Sequence, residues 1–126
     1  MQLIKYTHAC VRLERDGRSL LIDPGEWSKD VSFDGVSDVL VTHEHFDHLD
    51  VDRLTAARRD NDALKIYTNA AVAAQLADLG DAVVAVGPGD GFDAAGFGVR
   101  VVGGEHAEIY EGLPGCANVG YVVDGI

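Results

Sequence analysis

The sequence has no long apolar run, few basic residues and only two cysteines. No stretch approaches the roughly 18 apolar residues that a membrane-spanning helix needs, and residues 1–6 do not open the apolar stretch of a signal peptide. Cys10 and Cys116 lie far apart and outside any C-x-x-C pattern, which favours reduced thiols over a disulfide. We therefore expect a cytoplasmic protein that does not contact a membrane.

Positive charge is scarce as well. The chain has 10 Lys and Arg against 21 Asp and Glu, a formal net charge of -11. Such a surface repels phosphate backbones, so we expect no nucleic-acid partner. The acidic surface does not exclude a small anionic substrate, because a bound dication would dominate the local field. With 126 residues, 47% of them hydrophobic, the chain is expected to form a single soluble domain over residues 1–126.

Short strand patterns and two helical patterns alternate along the chain. The apolar runs 10–14 and 19–22 flank Asp16-Gly17, which predicts a β-hairpin because both residues tolerate positive φ. Further strands are predicted at 37–42, 66–67, 83–86, near Phe92, 97–102 and 119–123. These patterns indicate an α/β fold that is rich in strands.

The two helices have recognisable ends. The first is predicted to begin at Asp50 or Asp52 and to run to about Arg59. The second is predicted from Ala70 to Leu79, with Asn69 as its cap and Gly80 closing it.

Metal-competent side chains are concentrated in one segment. Three of the five histidines, His43, His45 and His48, lie there together with Asp47, directly after the apolar run 39–41. Imidazole and carboxylate groups in this H-x-H-x-D-H pattern can hold one or two divalent cations. In extended backbone, residues two apart such as His43 and His45 point the same way, and the later pair can face a second position.

A fourth histidine, His106, follows another apolar run and could complete the site. His43, His45 and His106 make a three-imidazole set, the arrangement that lowers the pKa of bound water to about 7. Asp47 could orient the resulting hydroxide as well as bind a second cation. Asp23 could brace a ligand from behind or merely cap its own turn. A lone histidine is usually a surface or core residue, but three histidines within six residues are not typical of a polar loop.

Residues 38–48, with His43-x-His45-x-Asp47-His48 at their end, resemble the signature of the metallo-β-lactamase superfamily. Residues 20–25 resemble the family's strand and Asp turn, His106 its third metal-binding histidine, and 117–121 the segment after it. The branch that looks most similar is that of metal-dependent hydrolases related to sugar-acid phosphate lactonases. The resemblance implies the N-terminal half of an αββα sandwich, with a mainly mixed or antiparallel sheet and two helices.

The resemblance also implies a site and a reaction. His43, His45 and His106 would hold the first cation, and Asp47 and His48 part of the second. Zinc is the expected cofactor, with manganese, iron or nickel as alternatives. A metal-bound hydroxide would attack a small ester, lactone, amide or phosphoester, and the metals would stabilise the oxyanion.

Family members carry two more ligands, a bridging Asp and a His, beyond the segment that matches 120–123, and this sequence has neither. We therefore expect the chain to be a fragment of a complete enzyme, one subunit of a split enzyme, or a half-domain. In the last two cases a complementing chain or a second copy would cover the open sheet. The alternative function is a non-catalytic metal-binding half that completes a partner.

Overall fold

A computed structural model of the protein describes residues 2–5, 10–25, 33, 35–43, 49–105 and 117–123. These residues form nine strands, two α-helices and one 3-10 segment. The strands are β1 (Gln2–Lys5), β2 (Val11–Arg15), β3 (Arg18–Ile22), β4 (Val36–Leu40), β5 (Lys65–Thr68), β6 (Val83–Ala85), β7 (Gly91–Ala94), β8 (Phe97–Glu105) and β9 (Ala117–Val123). The helices are α1 (Val51–Asp60) and α2 (Ala70–Gln75), and the 3-10 segment is Ala77–Ala82.

The strands form two sheets. The first has six strands in the order β1-β2-β3-β4-β5-β6, antiparallel from β1 to β3 and parallel from β3 to β6. The second is an antiparallel sheet of three strands, β7-β8-β9. The carboxyl ends of β3, β4 and β5 therefore meet at one edge of the first sheet, the edge at which α/β folds place their sites.

The hairpin between β2 and β3 forms where the sequence predicts it. Asp16 and Gly17 have φ angles of 54° and 76°. Two consecutive positive φ values match the twist of a two-residue hairpin turn, and Asp and Gly adopt them at low cost.

The first helix also forms as predicted. The Asp50 side chain accepts a hydrogen bond from the backbone N–H of Arg53 at 3.1 Å and caps α1. Arg58 and Arg59 lie in its last turn, where positive charge suits the helix dipole. Leu54 is fully buried and packs into the core beneath the helix.

The second helix is capped by Asn69, as predicted, but its predicted end at Leu79 is wrong. The α-helix stops at Gln75, and the chain continues as a 3-10 segment. The backbone bonds shorten their span here: Leu76 N–H donates to Val72 O and to Ala73 O, and Leu79 N–H donates to Leu76 O, three residues back. Leu76 is buried in the core and Leu79 packs against the same cluster. The chain thus tightens into 3-10 bonding ahead of Gly80, whose φ of 56° and ψ of -125° are not helical.

Apolar side chains on the two faces of the first sheet build two cores. Leu21, Val39 and Val41 pack with Leu54 of α1 and with α2. Their neighbours along the strands point to the opposite face and, with the inner face of the second sheet, form the core between the two sheets. Its buried members are Leu13, Leu20, Leu40, Ala94, Ala95, Phe97, Val99 and Val123. The layers are helices, sheet, sheet, which confirms the fold expected from the sequence.

Polar contacts fasten the two sheets at the β7–β8 turn. The carboxylate of Asp38, on β4, accepts a hydrogen bond from the backbone N–H of Ala95 at 2.6 Å. The Arg15 guanidinium lies 4.3 Å from the centre of the Phe97 ring and donates to the backbone oxygen of Gly96 at 3.1 Å. Residue 42 is four residues after Asp38, which corresponds to about 13 Å in an extended strand. This contact is therefore separate from the edge where the predicted ligands begin.

Candidate metal centre

Among the five predicted ligands, His43 lies within the described residues, whereas His45, Asp47, His48 and His106 lie outside them. The described part of the chain contains no group of three or more potential ligand side chains. The structure therefore shows how the first ligand is held, and the other four assignments stay predictions.

His43 is buried, with 5% of its surface exposed. It follows the end of β4 and makes an isolated β-bridge. Its ring Nδ1 lies 2.8 Å from the hydroxyl oxygen of Thr42. The ring is thus fixed by a side chain that precedes it directly in the sequence.

The carboxylate of Asp23 holds Thr42 by two hydrogen bonds. Its Oδ1 accepts from the Thr42 backbone N–H and its Oδ2 from the Thr42 hydroxyl, both at 2.8 Å. Asp23 comes directly after β3 and adopts a φ of 52°, in the left-handed region that Asp tolerates better than most residues. Its own N–H donates to Leu40 O at 2.9 Å, so the turn is tied to the neighbouring strand. Asp23 therefore braces the residue that orients His43.

This chain of contacts assigns the tautomer of His43. A carboxylate can only accept hydrogen bonds, so the single hydroxyl proton of Thr42 points to Asp23. The hydroxyl oxygen then accepts from His43, which places the ring proton on Nδ1 and the lone pair on Nε2. A neutral imidazole with its lone pair on Nε2 is the form that binds a divalent cation. The geometry of His43 therefore fits a metal ligand.

The backbone oxygen of Thr42 is held from two other elements. It accepts a hydrogen bond from the Asn69 side-chain amide at 3.1 Å and from the Val119 backbone N–H at 2.9 Å. Asn69 at the same time caps α2 by accepting from Val72 N–H at 2.9 Å. One side chain thus joins the start of the helix to the segment that presents His43.

The preceding carbonyl, that of Val41, also has two donors. Thr68 donates to it from its hydroxyl at 3.1 Å, and the Tyr121 hydroxyl donates at 2.7 Å. Burial, and secondarily the negative charge of Asp23, raise the pKa of the Tyr121 phenol far above its ordinary value. Tyr121 therefore stays protonated and acts as a donor. Asp23 after β3, Thr68 and Asn69 at the end of β5, and two residues of β9 together hold Val41 and Thr42.

The register of the second sheet brings the strand that leads to His106 toward the same edge. Gly103 of β8 pairs with Val119 of β9, and Val119 in turn donates to Thr42 O. Strand β9 thus lies between β8 and the chain at Thr42, at about 5 Å on each side. His106 directly follows β8 in the sequence, so the end of β8 and the segment that presents His43 lie on the two sides of β9.

Sequence reasoning missed the side chains that support His43. Thr42 directly precedes the first histidine, and a hydroxyl there was a signal that could have been used. The sequence predicts Asn69 as a helix cap, which uses its amide oxygen. The amide NH2 group is also a donor, and the sequence does not indicate that it reaches Thr42 O. Tyr121 sits at an inward position of an apolar strand and gives no local signal of its hydrogen bonds.

Comparison with known proteins identifies the family. A sequence profile of the beta-lactamase superfamily domain matches residues 2–126. The chain belongs to the metallo-β-lactamase superfamily. The predicted family is thereby confirmed, while its lactonase branch stays a prediction.

This superfamily member is similar to proteins from distant organisms. It is 40% identical over 124 residues to Protein Rv0786c of Mycobacterium tuberculosis, covering 98% of this chain and 57% of that protein. It is 37% identical over 76 residues to a UPF0173 metal-dependent hydrolase of Aeropyrum pernix, covering 54% of this chain and 31% of that one. The chain thus spans only part of the length of the curated relatives it matches.

A solved structure supports the fold. The metallo-β-lactamase fold protein YhfI of Bacillus subtilis aligns with a TM-score of 0.68 at 22% identity, over 93% of this chain and 50% of that one. Within the described residues, no helix is both long enough and apolar enough to cross a membrane.

Proposed function

We propose that this chain carries the metal-binding part of a metal-dependent hydrolase. The observation that supports the proposal is the setting of His43, which is buried and held through Thr42 by Asp23. From these contacts we infer that the ring lone pair lies on Nε2. A side chain fixed in this way loses little entropy when it binds a cation, because its orientation is already set. The membership of the superfamily and the name of the Aeropyrum pernix relative agree with this function.

The remaining ligands are proposed from the motif. His43, His45 and His106 would hold one cation, and Asp47 and His48 would contribute to a second. Zinc suits three imidazoles and a carboxylate, and manganese, iron or nickel are alternatives. When bound, the cations supply a water of lowered pKa as nucleophile and polarise the bond that it attacks.

This chain's own residues supply orientation and proton control. Asp23 and Thr42 keep His43 in its binding tautomer, and Asp47 is proposed as the catalytic carboxylate that orients the nucleophile. The proposed substrates are small esters, lactones, amides or phosphoesters, the class that the superfamily resemblance implies. A sugar-acid phosphate lactone falls within this class.

Metal removal and return is the direct test. Elemental analysis should find a divalent cation in the purified protein, chelation should abolish hydrolysis, and zinc or manganese should restore it. His45→Ala and Asp47→Asn should each lower metal content and activity by at least about 100-fold, as expected for loss of a ligand or of a catalytic carboxylate. Asp78→Asn, which neutralises an exposed carboxylate of the 3-10 segment, is the matched control. Full hydrolysis by His45→Ala would refute the assignment.

A partner that completes the sandwich is a second proposal. It is motivated by the chain covering 57% of the Mycobacterium tuberculosis relative. A complementing polypeptide that carries an Asp and a His would supply what the family's second cation requires, whereas a second copy of this chain would cover the open sheet without adding those ligands. Light scattering and intact mass of the purified material distinguish these two cases, and a stable monomer with full activity would exclude both.

A further inference from the structure

The Tyr121 hydroxyl crosses from the second sheet to the first at the end where His43 lies. Tyr121 belongs to β9, yet its hydroxyl oxygen lies 2.7 Å from the backbone oxygen of Val41 and 3.2 Å from that of Tyr67, so its single proton is donated to Val41 O or shared between the two. Val41 follows β4, and Tyr67 belongs to β5. One side chain therefore touches two adjacent strands of the first sheet just before the segment that presents His43.

Both of these carbonyls have a second donor. Val41 O also accepts from the Thr68 hydroxyl at 3.1 Å, and Tyr67 O also accepts from the Val41 backbone N–H at 3.1 Å. Loss of the Tyr121 hydroxyl would leave each oxygen with a hydrogen bond, so no buried acceptor would be orphaned. The hydroxyl is therefore not needed to satisfy the backbone, and its contribution is to the relative placement of the sheets.

That placement matters because the three imidazoles come from different sheets. His43 follows β4 of the first sheet, whereas His106 directly follows β8 of the second, and β8 pairs with β9 along its whole carboxyl half. The backbone contact at Val119 fixes one point between β9 and the first sheet. The side chain of Tyr121 fixes a second point, two residues further along β9. Two points on one strand set both its distance and its angle to the His43 segment.

We propose that Tyr121 is a positioning residue for the metal centre, which sets the distance between the strand ends that carry His43 and His106. This inference rests on the proposed function, since it assigns no ligand of its own. It predicts that Tyr121→Phe weakens and distorts metal binding while the metal-free fold stays intact.

Tyr67 provides the matched control. It is also an aromatic residue of the layer between the sheets, where it stacks on Phe92 with ring centres 4.3 Å apart and planes 9° from parallel. Burial raises the pKa of its phenol, and the negative charges of Asp38 and Asp93 add to this effect. Tyr67→Phe therefore removes a hydroxyl of the same kind without removing a donor to Val41.

The test measures binding of zinc and cobalt to the chain and to both variants, together with thermal unfolding of the metal-free proteins. We expect Tyr121→Phe to bind zinc about 10-fold more weakly, as for outer partners of metal ligands, and to change the visible spectrum of bound cobalt. Tyr67→Phe should retain the affinity and spectrum of the unmodified chain. The two metal-free variants should unfold within about 3 °C of each other, since each loses one hydroxyl.

A conservative replacement keeps the inference falsifiable if the phenylalanine variant folds poorly. Tyr121 replaced by 4-aminophenylalanine retains a donor at the same position and should recover most of the affinity and the cobalt spectrum. Unchanged zinc affinity in Tyr121→Phe, or failure of the amino variant to recover it, would overturn the inference. So would a loss of affinity matched by an equal loss of metal-free stability. Absence of metal binding by the unmodified chain would instead refute the proposed function itself.

Discussion

Replacing Asp23 by Asn should reverse the tautomer of His43 without breaking the turn. The Thr42 backbone N–H needs an acceptor, so the amide oxygen of Asn would take the Oδ1 position, which accepts that bond. The amide NH2 would then face the Thr42 hydroxyl and donate to it. The hydroxyl proton would have to turn to His43 Nδ1, which leaves the ring proton on Nε2, where a cation must bind.

The magnitude follows from the bonds that change. Both hydrogen bonds to Asp23 persist in number but become neutral, and each loses about 1 kcal/mol relative to its charged form, or about 2 kcal/mol of folding stability in total. To bind a cation, the ring must return to the Nδ1–H form and leave a buried hydroxyl proton without its acceptor. That costs a further amount of about 2 kcal/mol, which corresponds to about 30-fold in metal affinity.

Two measurements check this prediction. Competition with a chromophoric chelator gives the zinc affinity, and nitrogen NMR of the imidazoles reports which ring nitrogen of His43 carries the proton. Asp38→Asn is the control, because that carboxylate also accepts a backbone N–H but lies at the β7–β8 turn. If Asp23→Asn bound zinc as tightly as the unmodified chain, or kept the proton on Nδ1, the assigned hydrogen-bond chain would be wrong.

Three further predictions concern stability. Burial raises the pKa of Asp38, so the folded state binds its proton more readily than the unfolded chain. The free energy of unfolding should therefore fall as the pH rises from 3.8, the ordinary pKa of Asp, through the raised pKa of Asp38 in the folded state. In urea titrations at several pH values, Asp38→Asn should remove this contribution. Gly17→Ala should cost about 1 kcal/mol, because φ is 76° there and a side chain strains it. An unchanged urea midpoint would argue against that turn. Leu54→Ala, at a fully buried site of α1, should cost about 3 kcal/mol by calorimetry. A loss under 1 kcal/mol would contradict the packing of α1.

Local signals predict those parts of the fold that depend on neighbouring residues. The Asp16-Gly17 turn and the Asp50 cap need only two to four residues to form, and both lie where the sequence predicts them. The predicted end of α2 is wrong, because the hydrogen bonds change from four residues back to three at Leu76, and the apolar spacing of the sequence does not distinguish these two helices. The parallel order from β3 to β6 has no local signal, since it depends on which strands are neighbours across long connections.

The candidate site divides in the same way. A motif of closely spaced histidines can be recognised from sequence, because metal ligands must be of a few residue types. The contacts that orient His43 cannot, because a Tyr in an apolar strand gives no sign of the carbonyl it will reach. The sequence allows Asp23 to be a brace, but it does not identify Thr42 as the residue that Asp23 contacts, because that contact depends on β3 and β4 lying side by side.

The partners of the Val41–Thr42 segment also imply an order of assembly. Asp23 is 19 residues from Thr42, Asn69 is 27 residues from it, and Tyr121 is 80 residues from Val41. During synthesis the chain is made from its amino end, so the histidine-rich segment emerges long before the strand that completes its support. Until that strand docks, the backbone oxygens of Val41 and Thr42 lack the donors that Tyr121 and Val119 supply. Selective cation uptake should thus be a late event in folding, after the second sheet has closed on the first.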